Sequence, residues 1–321
     1  MRLGFIGLGV MGAPMALNLL KAGWEVSVND IRPEAAEPHL KMGATWAESP
    51  KEIAEMSDIV FSCLPEFSAI ETVALGPNGV LSGAKPGLIY FETSTNTLDS
   101  VRRLHTAFKA SGASMLDAPI SGGAAGAKSG RLAMWVGGEV SAFDCAKPIL
   151  DSMADQVSYV GASGSGLITK LVHNCSSQAM QAALAEVFSM GVKAGAEPLA
   201  LWQAIRKGAL GRRRTFDGLV DEFLPANYDD NPSAALRIVY KDTMAATALG
   251  REVGAPMPFA NMALSGLQEC MNRGWAERDA RSVMLLPQER AGVAIKVKAS
   301  SIQAVLDADP PASSDPRRAK T

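Results

Sequence analysis

The chain has 321 residues, 47% of them hydrophobic and 20% charged, with a net charge of −2. That composition suits about two globular domains with sizeable cores, and it excludes the basic footprint of a nucleic-acid binder.

Residues 3–6 are an apolar run that reads as a strand. Gly7, Gly9 and Gly12 follow at the spacing G-x-G-x-x-G, and Met15, Leu19 and Leu20 then recur at helical spacing before Gly23. Residues 25–30 read as a second strand ending in Asp30. Strand, glycine turn, helix, strand and acid make a dinucleotide-binding βαβ unit. Gly7 serves the tight turn, Gly9 lets a pyrophosphate approach the backbone, and Gly12 lets helix and strand pack closely. The helix start offers N–H groups to the phosphates. Asp30, 23 residues after Gly7, is placed to accept from the adenosine ribose hydroxyls. That carboxylate makes NAD the expected cofactor. NADP is the alternative, because Arg32 and Asn29 beside it offer donors to a 2′-phosphate.

Residues 33–42 look like a short helix. Residues 58–63, 87–92, 111–117, 131–136 and 156–160 complete the strand candidates, with helices such as 98–110 between them. The alternation predicts an α/β Rossmann-type, doubly wound, mostly parallel sheet whose ligands sit at the carboxyl ends of strands. Leu64, Pro65, Ser94, Thr95 and the loop after Asp117 lie at such ends. From the glycine joint at Gly161 onward, strand patterns vanish. Residues 167–193 form one long, largely apolar helical pattern, and further helices are expected at 199–207, 216–223, 234–253, 259–273 and 276–286. The expected division is a dinucleotide-binding domain over 1–161, an all-helical substrate and oligomerisation domain over 162–308, and a disordered tail over 309–321.

Cys63, Cys145, Cys175 and Cys270 form no CxxC pair, which argues against zinc and for free thiols in a reducing cytoplasm. No apolar run is long enough to span a membrane, and a strand pattern from the first residues predicts no signal peptide.

Three segments carry chemistry. Ser121, Gly122 and Gly123 offer a hydroxyl and bare backbone to a small anion, of which a substrate carboxylate is the natural candidate. Lys170 interrupts an apolar helix, and Asn174, four residues on, shares its face. Desolvation there favours the neutral amine and suits it to proton exchange. Lys241 precedes Asp242 within a helix of the second domain.

Together, GFIGLGVMGAPMALNLLKAG, DAPISGGAAGAKSGRLAMWVGG, GSGLITKLVHN and YKD resemble the β-hydroxyacid dehydrogenase family, over about residues 1–300. The family includes 3-hydroxyisobutyrate dehydrogenases and tartronate semialdehyde reductases. The resemblance implies Lys170 as catalytic acid/base and Asn174 as the residue that orients substrate. It implies Ser121, Gly122 and Gly123 as the carboxylate grip. Leu64, Pro65 and Thr95 would touch a nicotinamide cofactor held by Gly7, Leu8, Gly9, Met11, Gly12, Asp30 and Arg32. Lys241 would lie near the nicotinamide and the substrate, and the protein would be a homodimer or homotetramer without metal. His173 departs from the family pattern, where the first asparagine of an Asn-Asn pair is common. Ile31 stands where an arginine often follows the ribose-binding residue. The arginine run 212–214 and Asp229 with Asp230 are also outside that pattern. Two competing readings keep the fold, one with an imine or sugar acid as substrate and one as a cofactor-binding scaffold without catalysis. Lys170 argues against imine reduction and against a scaffold, and a sugar-phosphate enzyme would want a longer helical domain.

Overall fold

The computed structural model describes residues 1–193, 195–208, 219–220, 223–228, 232, 234–252, 254 and 257–307. The chain packs as two compact units, Met1–Asn174 with Met244–Pro256, and Cys175–Thr243 with Met257–Thr321.

Among the described residues, one sheet is built from β1 (Arg2–Ile6), β2 (Glu25–Asn29), β3 (Thr45–Trp46), β4 (Ile59–Ser62), β5 (Ile89–Glu92), β6 (Ser114–Asp117), β7 (Ile120–Ser121), β8 (Leu132–Gly137) and β9 (Ala154–Gly161). Its order is β3-β2-β1-β4-β5-β6-β8-β7, with β9 also paired to β8. β1 to β6 are parallel, whereas β8 runs antiparallel to β6 and β7 and parallel to β9. The sheet is therefore the mostly parallel, doubly wound one that the alternating pattern predicts. β3 and β7 are additions to that reading.

Register explains what the sheet holds. Phe5, Phe61, Phe91 and Leu116 are partners across β1, β4, β5 and β6. The three rings stack with centroids 6.1 and 5.2 Å apart. One residue later the row is Ile6, Ser62, Glu92 and Asp117. Alternation along a strand sends the two rows to opposite faces. The Phe row belongs to the apolar core with Leu3, Met15 and Leu19. The second row puts three polar side chains, all buried, at neighbouring carboxyl ends.

The helix Gly12–Lys21 buries Met15, Ala16 and Leu19 against this core. The helix Leu98–Ala110 starts where predicted, with the Thr97 hydroxyl accepting from Ser100 N–H at 3.2 Å. Residues 33–42 give a 3-10 turn, Pro33–Ala36, followed by the short helix Glu37–Leu40. Beyond β9 the long helix is Ser165–Lys193, followed by Pro198–Lys207, Leu236–Glu252 and Pro258–Asn272. The helix expected over 276–286 is a correction. Asp279 accepts from Arg281 N–H at 2.8 Å and starts a 3-10 helix, Ala280–Met284, before the α-helix Leu285–Ala291. A further helix, Ala299–Asp307, was not anticipated. Phe188, Trp202, Phe223, Leu236 and Met284 centre the core of the second unit. Most of 216–223, and all of 212–214, 229–230 and 309–321, fall outside the described residues. No described helix is long and apolar enough to cross a membrane.

Candidate active site

The glycine turn after β1 is shaped by three different demands. Gly7 has φ +91°, and a Cβ there would lie 2.4 Å from the Cys63 carbonyl oxygen. A Cβ at Gly12 would lie 1.9 Å from Gly7 O. A Cβ at Gly9, in contrast, would meet nothing within 4 Å. The first two positions are glycine because the protein is in the way, and the third opens onto space that a ligand can take. Met11 sits at the N-cap of the following helix without a side-chain cap, and the first turn holds no acidic residue. Ala13 N–H donates to Gly9 O at 3.0 Å and Pro14 has no N–H, so what the helix start offers an anion is chiefly its positive dipole end.

Asp30 closes the same turn. Its Oδ2 accepts from Leu8 N–H at 2.6 Å and its Oδ1 from Arg32 N–H at 2.9 Å. The Arg32 guanidinium lies 3.5 Å from Oδ1. The structure therefore gathers Leu8, Asp30 and Arg32 around the glycines. Asn29 donates an amide N–H to Ala47 O at 2.8 Å and anchors the segment after β3. Open space at Gly9, an uncapped helix start and a fixed carboxylate fit a nicotinamide dinucleotide.

The ends of β4 and β5 are tied together by a buried polar network. Glu92 Oε2 accepts from the Ser62 hydroxyl at 2.6 Å and the Tyr90 hydroxyl at 3.0 Å. Glu92 Oε1 accepts from Ser94 N–H at 2.7 Å, and Ser94 Oγ accepts from Leu64 N–H at 2.7 Å. Burial pushes the Glu92 carboxyl above the usual range. This chain of bonds sets the two loops that carry Leu64, Pro65 and Thr95. Ser62 and Glu92 were not identified from sequence. Their signal was present, since Ser62 and Glu92 are polar residues inside otherwise apolar buried strands, and such groups need partners.

Asp117, at the end of β6, is another residue that sequence reasoning left without a role. Its Oδ1 accepts from Gly164 N–H and its Oδ2 from Leu167 N–H, both at 2.7 Å. One carboxylate thus fixes the start of the long helix against the sheet. Burial pushes its pKa up to about 6, against the pull of those N–H groups.

The long helix then delivers Lys170. Its Nζ donates to the Ile120 carbonyl at 2.7 Å, next to Ser121. Gly122 and Gly123 follow with φ +131° and +60°, and a Cβ at Gly123 would meet nothing within 4 Å. Lys170 and the Ser121, Gly122 and Gly123 segment are therefore neighbours. Asn174 lies one turn on, with Oδ1 3.0 Å from His173 Nδ1. Lys241 belongs to the second unit, where its ammonium lies 3.5 Å from Asp242 Oδ1 and both side chains are largely buried. Among the described residues, no group of three or more His, Cys, Asp or Glu could hold a metal ion.

Residues 2–161 match the family model described as the NAD binding domain of 6-phosphogluconate dehydrogenase. Residues 164–286 match the one described as NAD-binding of NADP-dependent 3-hydroxyisobutyrate dehydrogenase. An NAD-dependent L-serine dehydrogenase of Pseudomonas aeruginosa is 33% identical over 290 residues, or 89% of this chain and 97% of that one. The chain belongs to the β-hydroxyacid dehydrogenase family. A 2-hydroxy-3-oxopropionate reductase of Escherichia coli is 30% identical over 87% of this chain and 94% of its own length. A solved 3-hydroxyisobutyrate dehydrogenase of Mycobacterium tuberculosis with L-serine has a TM-score of 0.80 at 28% identity, over 89% of this chain and 99% of that one. As a member of this family the chain is an NAD(P)-dependent oxidoreductase, with a Rossmann nucleotide-binding part and a helical C-terminal part. The two family models meet between residues 161 and 164, whereas packing divides the chain after Asn174. Lys170 and Asn174 pack with the nucleotide-binding unit.

Proposed function

We propose that this chain oxidises a small 3-hydroxy acid, or reduces the matching semialdehyde, with NAD(H) as its preferred cofactor and Lys170 as general acid/base. The observation that carries the reading is the Lys170 ammonium on the Ile120 carbonyl, directly beside Ser121. The Ser121 hydroxyl and the Gly122 and Gly123 backbone hold the substrate carboxylate. Carbon 3 then lies within reach of Lys170 Nζ, while Asn174 orients the reacting oxygen. The named substrates of the relatives, L-serine and 2-hydroxy-3-oxopropionate, share this layout of a carboxylate at one end and the alcohol or aldehyde at carbon 3.

The nicotinamide, when bound, accepts the hydride from carbon 3 or returns it. Lys170 handles the proton. As a neutral amine it takes the hydroxyl proton during oxidation. As an ammonium it gives that proton to the forming alkoxide during reduction and offsets its charge. Gly7, Leu8, Gly9, Met11, Gly12, Asp30 and Arg32 would hold the dinucleotide and Leu64, Pro65 and Thr95 would touch it, and the family resemblance adds Lys241 near its nicotinamide. The preference for NAD rests on Asp30. Its carboxylate repels a 2′-phosphate, and Arg32 already lies against it. We further propose a homodimer or homotetramer in a reducing cytoplasm, with residues 1–161 serving the cofactor and 162–308 serving substrate and assembly.

The test is Lys170→Ala, assayed with 3-hydroxy acids and semialdehydes at the reduced-nicotinamide absorbance band. Turnover should fall at least roughly 10²–10⁴-fold while NADH still binds. A variant within a few-fold of wild-type kcat refutes the assignment. For cofactor choice, Asp30→Asn should shift kcat/KM toward NADP, and wild-type preference for NADP would refute the role of Asp30.

A further inference from the structure

His173 stands between Lys170 and Asn174 in the chain, with an exposed side chain held by two contacts. Its ring packs on Trp135 of β8, with centroids 5.1 Å apart and planes tilted by 46°. Its Nδ1 lies 3.0 Å from Asn174 Oδ1. Consecutive helical residues point about 100° apart and do not ordinarily face each other. The helix alone does not supply this bond. Trp135 holds the ring in the position that makes it. Trp135 N–H donates to Pro119 O at 3.2 Å, and β7 pairs with β8 through Ile120 and Met134. The same pair of strands therefore places both functional side chains. Ile120 O holds Lys170, and Trp135 holds the ring that holds Asn174.

Resting on the reading that Lys170 and Asn174 are the reacting pair, we propose that His173 is a positioning residue. Its Nδ1–H donates to Asn174 Oδ1 and sets the amide to offer N–H, not C=O, to a substrate oxygen. An asparagine amide is flat and nearly symmetric in shape, with an acceptor at one end and two N–H donors at the other. Nothing in its own shape decides which end meets the substrate. A donor fixed on its oxygen does decide it. The amide nitrogen carries two hydrogens, so it can keep a protein partner and still donate. The substrate oxygens of this reaction are a carboxylate, a hydroxyl on its way to alkoxide and a carbonyl, and all of them accept. The proposal requires the neutral imidazole to carry its single proton on Nδ1.

Two variants of the full-length enzyme separate the bond from the ring contact. His173→Phe keeps a ring against Trp135 and removes the donor. His173→Asn keeps a donor near the Nδ1 position and removes the ring. With the 3-hydroxy acid that the wild type turns over best, His173→Phe should lower kcat roughly tenfold to a hundredfold at unchanged NADH affinity, and His173→Asn, which keeps a donor but loses its hold on Trp135, should lower it less than about tenfold. Wild-type kcat in the Phe variant, or equal losses in both, overturns the proposal. Nitrogen-15 NMR reads the bond directly, because the chain has only three histidines. The ring signals that vanish in His173→Asn should belong to a ring protonated at Nδ1 at a pH where it is neutral. An Nδ1 without a proton overturns the proposal even where the Phe variant does not fold. Lys170→Ala keeps the two readings apart. If it retains turnover, the reacting pair itself falls. If it is inactive while Phe is normal, only the role of His173 falls.

Discussion

Gly9→Ala isolates ligand binding from folding. A methyl group there meets no protein atom within 4 Å, and the backbone is not in the left-handed region. The apoprotein should therefore be as stable as wild type, or gain about 0.4–1 kcal/mol from the stiffer unfolded chain. The added carbon projects into the space over the glycine turn, where the pyrophosphate must come close to the backbone. Losing one hydrogen bond to a charged group costs about 1.5–3 kcal/mol, which is roughly tenfold to a hundredfold in Kd. Gly12→Ala is the control, because its Cβ would lie 1.9 Å from Gly7 O. That variant should lose about 1–3 kcal/mol of stability before any ligand is added. NADH fluorescence titration and thermal melting, run on both variants, give the four numbers needed. Wild-type NADH affinity in Gly9→Ala would show that the phosphates do not pass over this residue.

Gly123→Ala, at φ +60° and with open space around it, should cost about 1–2 kcal/mol in stability and raise KM for the free acid. An ester turned over as well as the acid would remove the carboxylate from that position. Ser94→Ala leaves the Leu64 N–H without the acceptor it has at 2.7 Å. It should weaken NADH binding several-fold, and a loss of stability alone would refute the link from Glu92 to the cofactor loop. Asp117 has a folded-state pKa of about 6, above the 3.8 of the free side chain. Its contribution to stability is therefore complete below about pH 4 and lost as pH rises through 6, about 3 kcal/mol in all. Asp117→Asn has no such proton, so wild-type stability minus that of the variant should fall by this amount between pH 4 and 7, and a difference independent of pH would refute it.

What was legible in the sequence was whatever short-range pattern encodes. The glycine spacing, the run of parallel strands and the long helix each reflect a local period or a local steric demand. The candidate site residues of the first unit can be named from sequence because strand ends and an odd lysine in an apolar helix are visible one segment at a time. The missing parts depend on register between distant segments. Ser62, Glu92 and Asp117 form a row only because three strands pair in step. The Lys170 partner is a backbone carbonyl 50 residues away, which side-chain identity does not announce. β3 and β7 have two residues each, too few to show a period. The helix expected over 276–286 failed for a local reason, since Asp279 caps a new start within that stretch.

The helix that carries Lys170 is shared between two packing units, and the boundary falls after Asn174. This bears on how chimeras of related enzymes should be cut. A splice at the glycine joint near Gly161 would transplant Lys170 and Asn174 together with the foreign helical part. It would ask a foreign first turn to meet the Asp117 carboxylate and a foreign lysine to find Ile120 O. A splice inside the helix, just past Asn174, leaves those contacts native. The exchanged segment can then vary the rest of the helix without resetting the proton-transfer group.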